Sequence, residues 1–113
     1  MKSRGGDTLG LSDLFERFFL KKIDGKNAHD WFELGAKERD PVKKVECFEK
    51  VVELKPGFVG AWNLLGTAHA DCGEFKKAME CYDQALSICP SYREAKLNKK
   101  NLEMKMKEDT TEK

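Results

Sequence analysis

The chain repeats itself, and this constrains its fold more than any other property. Displaced by 34 residues, Pro56 falls on Pro90, Cys47 on Cys81, Phe48 on Tyr82, Val52 on Leu86 and Leu54 on Ile88. Displaced by 31, the upstream segment aligns instead: Trp31 with Trp62, Leu34 with Leu65, Gly35 with Gly66 and Asp40 with Asp71. The registers differ by three residues, so the first copy lacks three residues between its halves. Periods of this length mark stacked architectures, in which each unit is one supersecondary element that buries its apolar side against the next. With three prolines in 113 residues, the units are expected to be helical with short connections.

Within the second copy, Trp62, Leu65, Gly66 and His69 recur at spacings of three and four, which places them on one face of a helix, A. Cys72-Gly73 ends it, glycine being suited to the left-handed conformation after a last helical turn. A second helix, B, runs from about Glu74 and turns Phe75, Ala78, Met79, Tyr82, Ala85 and Leu86 inward; Pro90 stops it. In the first copy Asn27 is placed to cap helix A, with Asp30 near its positive end. Asp40-Pro41 reads as cap and first residue of helix B, which compresses the A–B turn and accommodates the three missing residues.

Trp62, Leu65, Gly66, Ala78, Tyr82, Ala85 and Pro90 resemble the tetratricopeptide pattern over a full unit, Val59 to Tyr92, departing at His69 where the pattern has Tyr. The unit from about Ala28 to Phe58 resembles it more weakly, with Lys44 where a small residue belongs. The fold expected is all-α: an α-solenoid of two antiparallel helix pairs with an N-terminal amphipathic helix and a C-terminal capping helix. The divisions are 1–24 for the N-terminal helix and its lead, 25–57 for repeat 1 with a shortened A–B turn, 58–91 for repeat 2, 92–107 for the capping helix and 108–113 for a disordered tail.

Two helix pairs leave both ends of a stack open, so the flanking segments should cover them. Ser91-Tyr92-Arg93-Glu94 has the form of a capping box and opens the last helix, with Tyr92, Ala95, Leu102 and Met106 inward and the Lys99 stem along that face. At the other end, Ser12 can cap a helix to about Lys22 that gathers Leu14, Phe15, Phe18, Phe19 and Ile23 on one side. That much apolar surface is not left in water at about 25 cal/mol per Å². It packs on helix A of repeat 1, forms a homodimer contact, or docks on a partner or in the chain's own groove.

The resemblance implies a non-catalytic protein–protein interaction module that takes a peptide or partner helix on the concave surface of its A helices. Carried over residue by residue, the groove positions are His29, Phe32, Ala36 and Arg39 in repeat 1, Asn63, Thr67, Ala70 and Asp71 in repeat 2, and Glu94, Leu97 and Asn101 on the capping helix. An amide such as Asn63 can donate to and accept from a peptide backbone at once; Phe32 is an exposed anchor or core. The family's chaperone-tail clamp, built on Lys and Asn of helix A, is not expected, since Phe32, Ala36 and Leu64 stand in those places.

Other classes find little support. There is no Gly-rich phosphate loop, HExxH or GxSxG, so no enzyme is expected, and His69 reads as a satisfied core histidine. Cys47, Cys72, Cys81 and Cys89 form no CxxC pair and no finger spacing with His29 or His69; they read as reduced, with no metal and no cofactor. Reduced cysteines and a start without a secretory signal point to the cytoplasm. No apolar run suits a membrane span. A net charge of +1 gives no bulk attraction for nucleic acid. Arg93, Lys96, Lys99, Lys100, Lys105 and Lys107 crowd the last helix, but no aromatic residue interleaves them after Tyr92, so weak nucleic-acid binding is only an alternative, as is a homodimeric scaffold.

Overall fold

Residues 22–111 are described by the computed structural model. They form α1 (Ala28–Lys37), α2 (Pro41–Leu54), α3 (Val59–Asp71), α4 (Phe75–Ile88) and α5 (Arg93–Thr111). Each helix packs on the one before it, and α3 also touches α5. This is the all-α stack of two helix pairs and a closing helix. Residues 12–21 of the helix expected to run to about Lys22, with Leu14, Phe15, Phe18 and Phe19, lie outside the described residues, as does the end of the tail.

Local chemistry sets the helix ends. Asn27 Oδ1 accepts from Asp30 N at 2.9 Å and the Asp30 carboxylate accepts from Asn27 N at 3.1 Å, a complete capping box. Asp40 Oδ1 accepts from Val42 N at 3.0 Å, with Pro41 opening α2. Gly73, at φ +82°, carries the chain out of α3. At α5 the expectation is off by one residue: the first helical bond runs from Lys96 N to Tyr92 O, and Ser91 Oγ instead lies 3.7 Å from Cys89 Sγ. The helix also continues through Thr111, past the boundary expected at 107.

The three missing residues are not lost from the turn. Residues 38–40 and 72–74 are connections of equal length, and α2 and α4 each have 14 residues. Helix α1 has 10 residues against 13 in α3, so the deletion removes nearly a full turn from its carboxyl end. Asp40 is therefore the counterpart of Glu74, each at the start of a B helix, and not of Asp71.

This explains Lys44. Its repeat counterpart, Ala78, is fully buried against α3. In repeat 1 the absent turn leaves room for a long side chain and leaves carbonyls at the end of α1 without helical donors. Lys44 Nζ adds a donor there, reaching Gly35 O at 3.0 Å beside the longer 3.3 Å bond from Glu38 N, and lies over the Phe48 ring at 5.9 Å. We expect Lys44→Ala to cost about 1–2 kcal/mol, read from urea unfolding, whereas the exposed neighbour Lys43→Ala should shift it by less than about 0.5 kcal/mol.

Two apolar clusters hold the stack. One joins Phe48, Val51 and Val52 of α2 to Ala61 and Leu65 of α3 and Cys81 of α4; the other joins Ala78 and Tyr82 to Leu102 of α5. Each pair is closed by a glycine facing an aromatic ring. A Cβ on Gly66 would lie 2.6 Å from the Tyr82 ring, and one on Gly35 2.9 Å from the Phe48 ring. The Tyr82 hydroxyl reaches Thr67 Oγ1 at 3.1 Å, and Thr67 in turn donates to Asn63 O at 3.2 Å. In repeat 1 the same two positions hold Phe48 and Ala36, which have no hydroxyl to share.

His69 is buried, with Nδ1 2.9 Å from Glu74 Oε1 across the end of α3. That hydrogen bond first, and then Lys77, holds the Glu74 carboxyl below its ordinary value. A depressed carboxyl stabilises the fold above its unfolded pKa and loses that contribution as pH falls through the folded one. The stability difference between wild type and Glu74→Gln should therefore be full near neutrality, shrink below pH 4.5 and vanish in strong acid, as thermal melts across pH would record.

Candidate functional site

Of the expected groove residues, the structure gathers some and withdraws others. His29, Phe32 and Ala36 share one face of α1. Phe32 is half-buried: its ring stacks on Phe58 at 5.0 Å and 12° and meets Phe48 edge-on at 5.7 Å and 65°. Phe32 and Phe58, flanked by Ala28 and Ala36, floor a hollow of about 460 Å³. Its rim carries His29, Glu33, Lys37 and Lys55. His29 Nε2 lies 3.6 Å from Glu33 Oε2, and Lys55 Nζ lies over the Phe58 ring at 5.7 Å.

Repeat 2 contributes less than expected. Asn63 is only 6% exposed, and its Oδ1 accepts from Asn98 Nδ2 of α5 at 3.0 Å. This corrects the reading of Asn63 as a free amide: it fastens α3 to α5, and an alanine there would strip Asn98 of its acceptor before it removed any ligand contact. Thr67 is likewise spent, its hydroxyl engaged inside the α3–α4 pair. Ala70 packs against the α4–α5 cluster. Asp71 stays exposed. Arg39 is exposed too, but it lies in the α1–α2 turn and not on an A helix, because α1 ends at Lys37.

On α5, Leu97 is 60% exposed and shares a second hollow with Arg93, Glu94, Lys96 and Lys100; Asn101 is exposed beside it. The two hollows differ in chemistry. The α1 hollow has an apolar floor and a mixed rim, while the α5 hollow is cationic around a single leucine. Lys99, expected with its charge in water, instead reaches Asp83 Oδ1 at 2.7 Å, which holds its ammonium pKa above the ordinary value.

The sequence reading missed Phe58 and Lys55 as members of the site, since both lie between repeats and not on a helix A. The signal was present in the 34-residue register, which sets Phe58 against Tyr92: each places an aromatic ring just ahead of a helix A.

Three of the cysteines, Cys47, Cys72 and Cys81, are held away from the thiolate form. Burial pushes Cys81 up to about 12, and desolvation also raises Cys47 and Cys72. Among the described residues no group of His, Cys, Asp and Glu is placed to hold a metal ion. No described helix is long and apolar enough to cross a membrane.

Comparison with known proteins agrees with this architecture. A family model described as "Tetratricopeptide repeat" matches residues 59–92. The chain is 32% identical over 56 residues to a "Peroxisomal targeting signal receptor" from Kluyveromyces lactis, a match covering 50% of this chain and 10% of the relative. It is 32% identical over 65 residues to "Tetratricopeptide repeat domain-containing protein PYG7, chloroplastic" from Arabidopsis thaliana, covering 58% of this chain and 22% of the relative. The chain thus spans a small part of the curated relatives it matches. Among solved structures, the crystal structure of MamA superposes with a TM-score of 0.59 at 19% identity, covering 86% of this chain and 67% of that one. The tetratricopeptide match at 59–92, the glycine-to-ring closure repeated in both helix pairs and the likeness to MamA agree: residues 59–92 form a tetratricopeptide repeat, and the helical stack as a whole has the fold of proteins built from such repeats.

Proposed function

We propose that the chain is a non-catalytic module that holds a segment of another polypeptide against the open face of α1, with an apolar side chain of that segment seated in the hollow over Phe32 and Phe58. The observation that carries this reading is the hollow itself: aromatic and alanine floor, charged rim, on the helix-A side of the stack. Anchor pockets of this kind, ringed by polar groups, suit an apolar side chain delivered by a peptide. The rings that form it are braced by Phe48, which is 1% exposed, so little order has to be gained on binding. Leu97 and Asn101 on α5 offer a second, weaker contact, with Asp71 exposed at the end of α3 as a further polar position. Repeat relatives named as receptors for a targeting signal support a peptide as the ligand class. Four free thiols suit a reducing compartment such as the cytoplasm.

Peptides selected from a displayed library against the full chain test this. Their binding should perturb the amide resonances of His29, Ala36 and Phe58. Ala36→Arg, at an exposed helical position, should weaken binding about tenfold or more, about 1.4 kcal/mol, with an unchanged thermal melt. Equal affinity for wild type and Ala36→Arg, or perturbations confined to the outer faces of α2 and α4, would overturn the reading.

A further inference from the structure

Helix α5 lies against α4 and α3 as a third helix A, but one of its faces has the wrong chemistry to receive another helix B. In the 34-residue register Lys96, Lys99 and Lys100 stand where α3 has Trp62, Leu65 and Gly66. Those α3 positions meet apolar partners: Leu65 shares a cluster with Cys81 of α4, and Gly66 takes the Tyr82 ring. An ammonium group buried in such a contact without a counter-charge costs more than apolar packing contributes. An occupant of this face of α5 therefore has to bring negative charge.

The cations of α5 are not equally available. Six stand between residues 93 and 107, against the carboxylates of Glu94 and Glu103. Lys99 is held by Asp83 at 2.7 Å, and Lys105 lies over the Phe75 ring at 5.4 Å. Arg93, Lys96 and Lys100 are exposed, and none of them forms an ion pair with a described residue. Their spacing of three and four sets them in one strip about 10 Å long on the helix. Leu97, 60% exposed, stands beside the strip and lines the same hollow. Met104, 54% exposed, follows two turns later on the Leu97 side.

We infer that this strip is a docking surface for an acidic amphipathic segment of a partner polypeptide, whose carboxylates pair with Arg93, Lys96 and Lys100 while an apolar side chain covers Leu97. Charge complementarity gives the sign of the partner, and the leucine gives its class. A nucleic acid would satisfy the cations but would bring phosphates against Glu94 in the same hollow and leave Leu97 in water. Exposed charge pairs set specificity and association rate more than affinity, so the segment docks quickly and in a strongly salt-dependent way. The strip shares no residue with the hollow over Phe32 and Phe58, so Ala36→Arg, which obstructs that hollow, should leave this docking unchanged.

Fluorescence anisotropy on the full chain tests this, with a short labelled amphipathic helix whose polar face is all glutamate and whose apolar face is all leucine. It should bind, with an affinity that falls at least about tenfold between low and physiological salt. Lys96→Glu combined with Lys100→Glu should weaken binding at least about tenfold, the corresponding pair of Gln substitutions about threefold or more, and Leu97→Ser several-fold. Lys43→Glu combined with Lys76→Glu, the same charge change on α2 and α4, should leave the affinity within about twofold. All these positions are exposed, so thermal melts should not move. No binding of the glutamate helix, equal binding of its glutamine counterpart, or equal loss in the two charge-reversed proteins would overturn the inference. A single-stranded oligonucleotide that binds more tightly and displaces the peptide would assign the strip to phosphates and overturn it equally.

Discussion

Gly66→Leu should leave the chain without a cooperative unfolding transition. A Cβ at residue 66 would meet Tyr82 Cε1 at 2.6 Å and the backbone oxygen of Ala78 at 3.1 Å. Neither can withdraw cheaply. Tyr82 is 3% exposed with its hydroxyl bound to Thr67, and moving the Ala78 carbonyl means moving α4. One surplus methylene in a packed core costs about 1–3 kcal/mol, and leucine adds three carbons beyond the Cβ. Small domains have only about 5–15 kcal/mol to lose. Gly66→Ala should be intermediate, costing about 2 kcal/mol after the gain of about 1 kcal/mol in helix propensity. Far-UV circular dichroism through a urea titration reads both, and a Gly66→Leu protein that unfolds at the wild-type midpoint would mean that α3 and α4 do not meet at this glycine.

Phe48→Ala is expected to cost about 3–5 kcal/mol, the range for removing a fully buried aromatic ring. The effect should reach beyond stability. Phe48 supports Phe32 edge-on, and Phe32 supports Phe58, so the floor of the α1 hollow rests on a ring that touches no ligand. Val42→Ala, also on α2 but 57% exposed, should change the urea midpoint little. A Phe48→Ala protein as stable as Val42→Ala would place the core of repeat 1 elsewhere.

The fold was legible because glycine, proline and the aromatic positions act locally or through one specific contact. Gly66 and Tyr82 recur as Gly35 and Phe48 because a ring comes too close to the backbone to leave room for a Cβ in both pairs. Even the loss of the Tyr82 hydroxyl in repeat 1 is written in the change from Thr67 to Ala36. The site was less legible. Asn63 sits at a groove position by register, yet Asn98, 35 residues on, claims its oxygen, and a polar residue in sequence does not announce whether its partner is solvent, ligand or another helix. The place of the deletion was hidden for a similar reason: Asp40 and Asp71 are identical residues in one register, and identity alone cannot separate a helix end from the cap of the next helix. Arg39 left the predicted groove with that correction.

The shortened α1 carries a consequence for engineering. Repeat arrays are commonly extended by copying one unit. Changing Lys44 to alanine so that repeat 1 matches repeat 2 would leave the Gly35 carbonyl only the longer 3.3 Å bond from Glu38 N while the helix is still short. Restoring three residues to α1 while keeping Lys44 would drive an ammonium into the place where Ala78 sits at 0% exposure in repeat 2. Each repair made alone does harm, and made together they cancel. The length of one helix and the identity of a residue in the next behave as a single inherited character, so residues 28–54 should be transplanted whole or left in place.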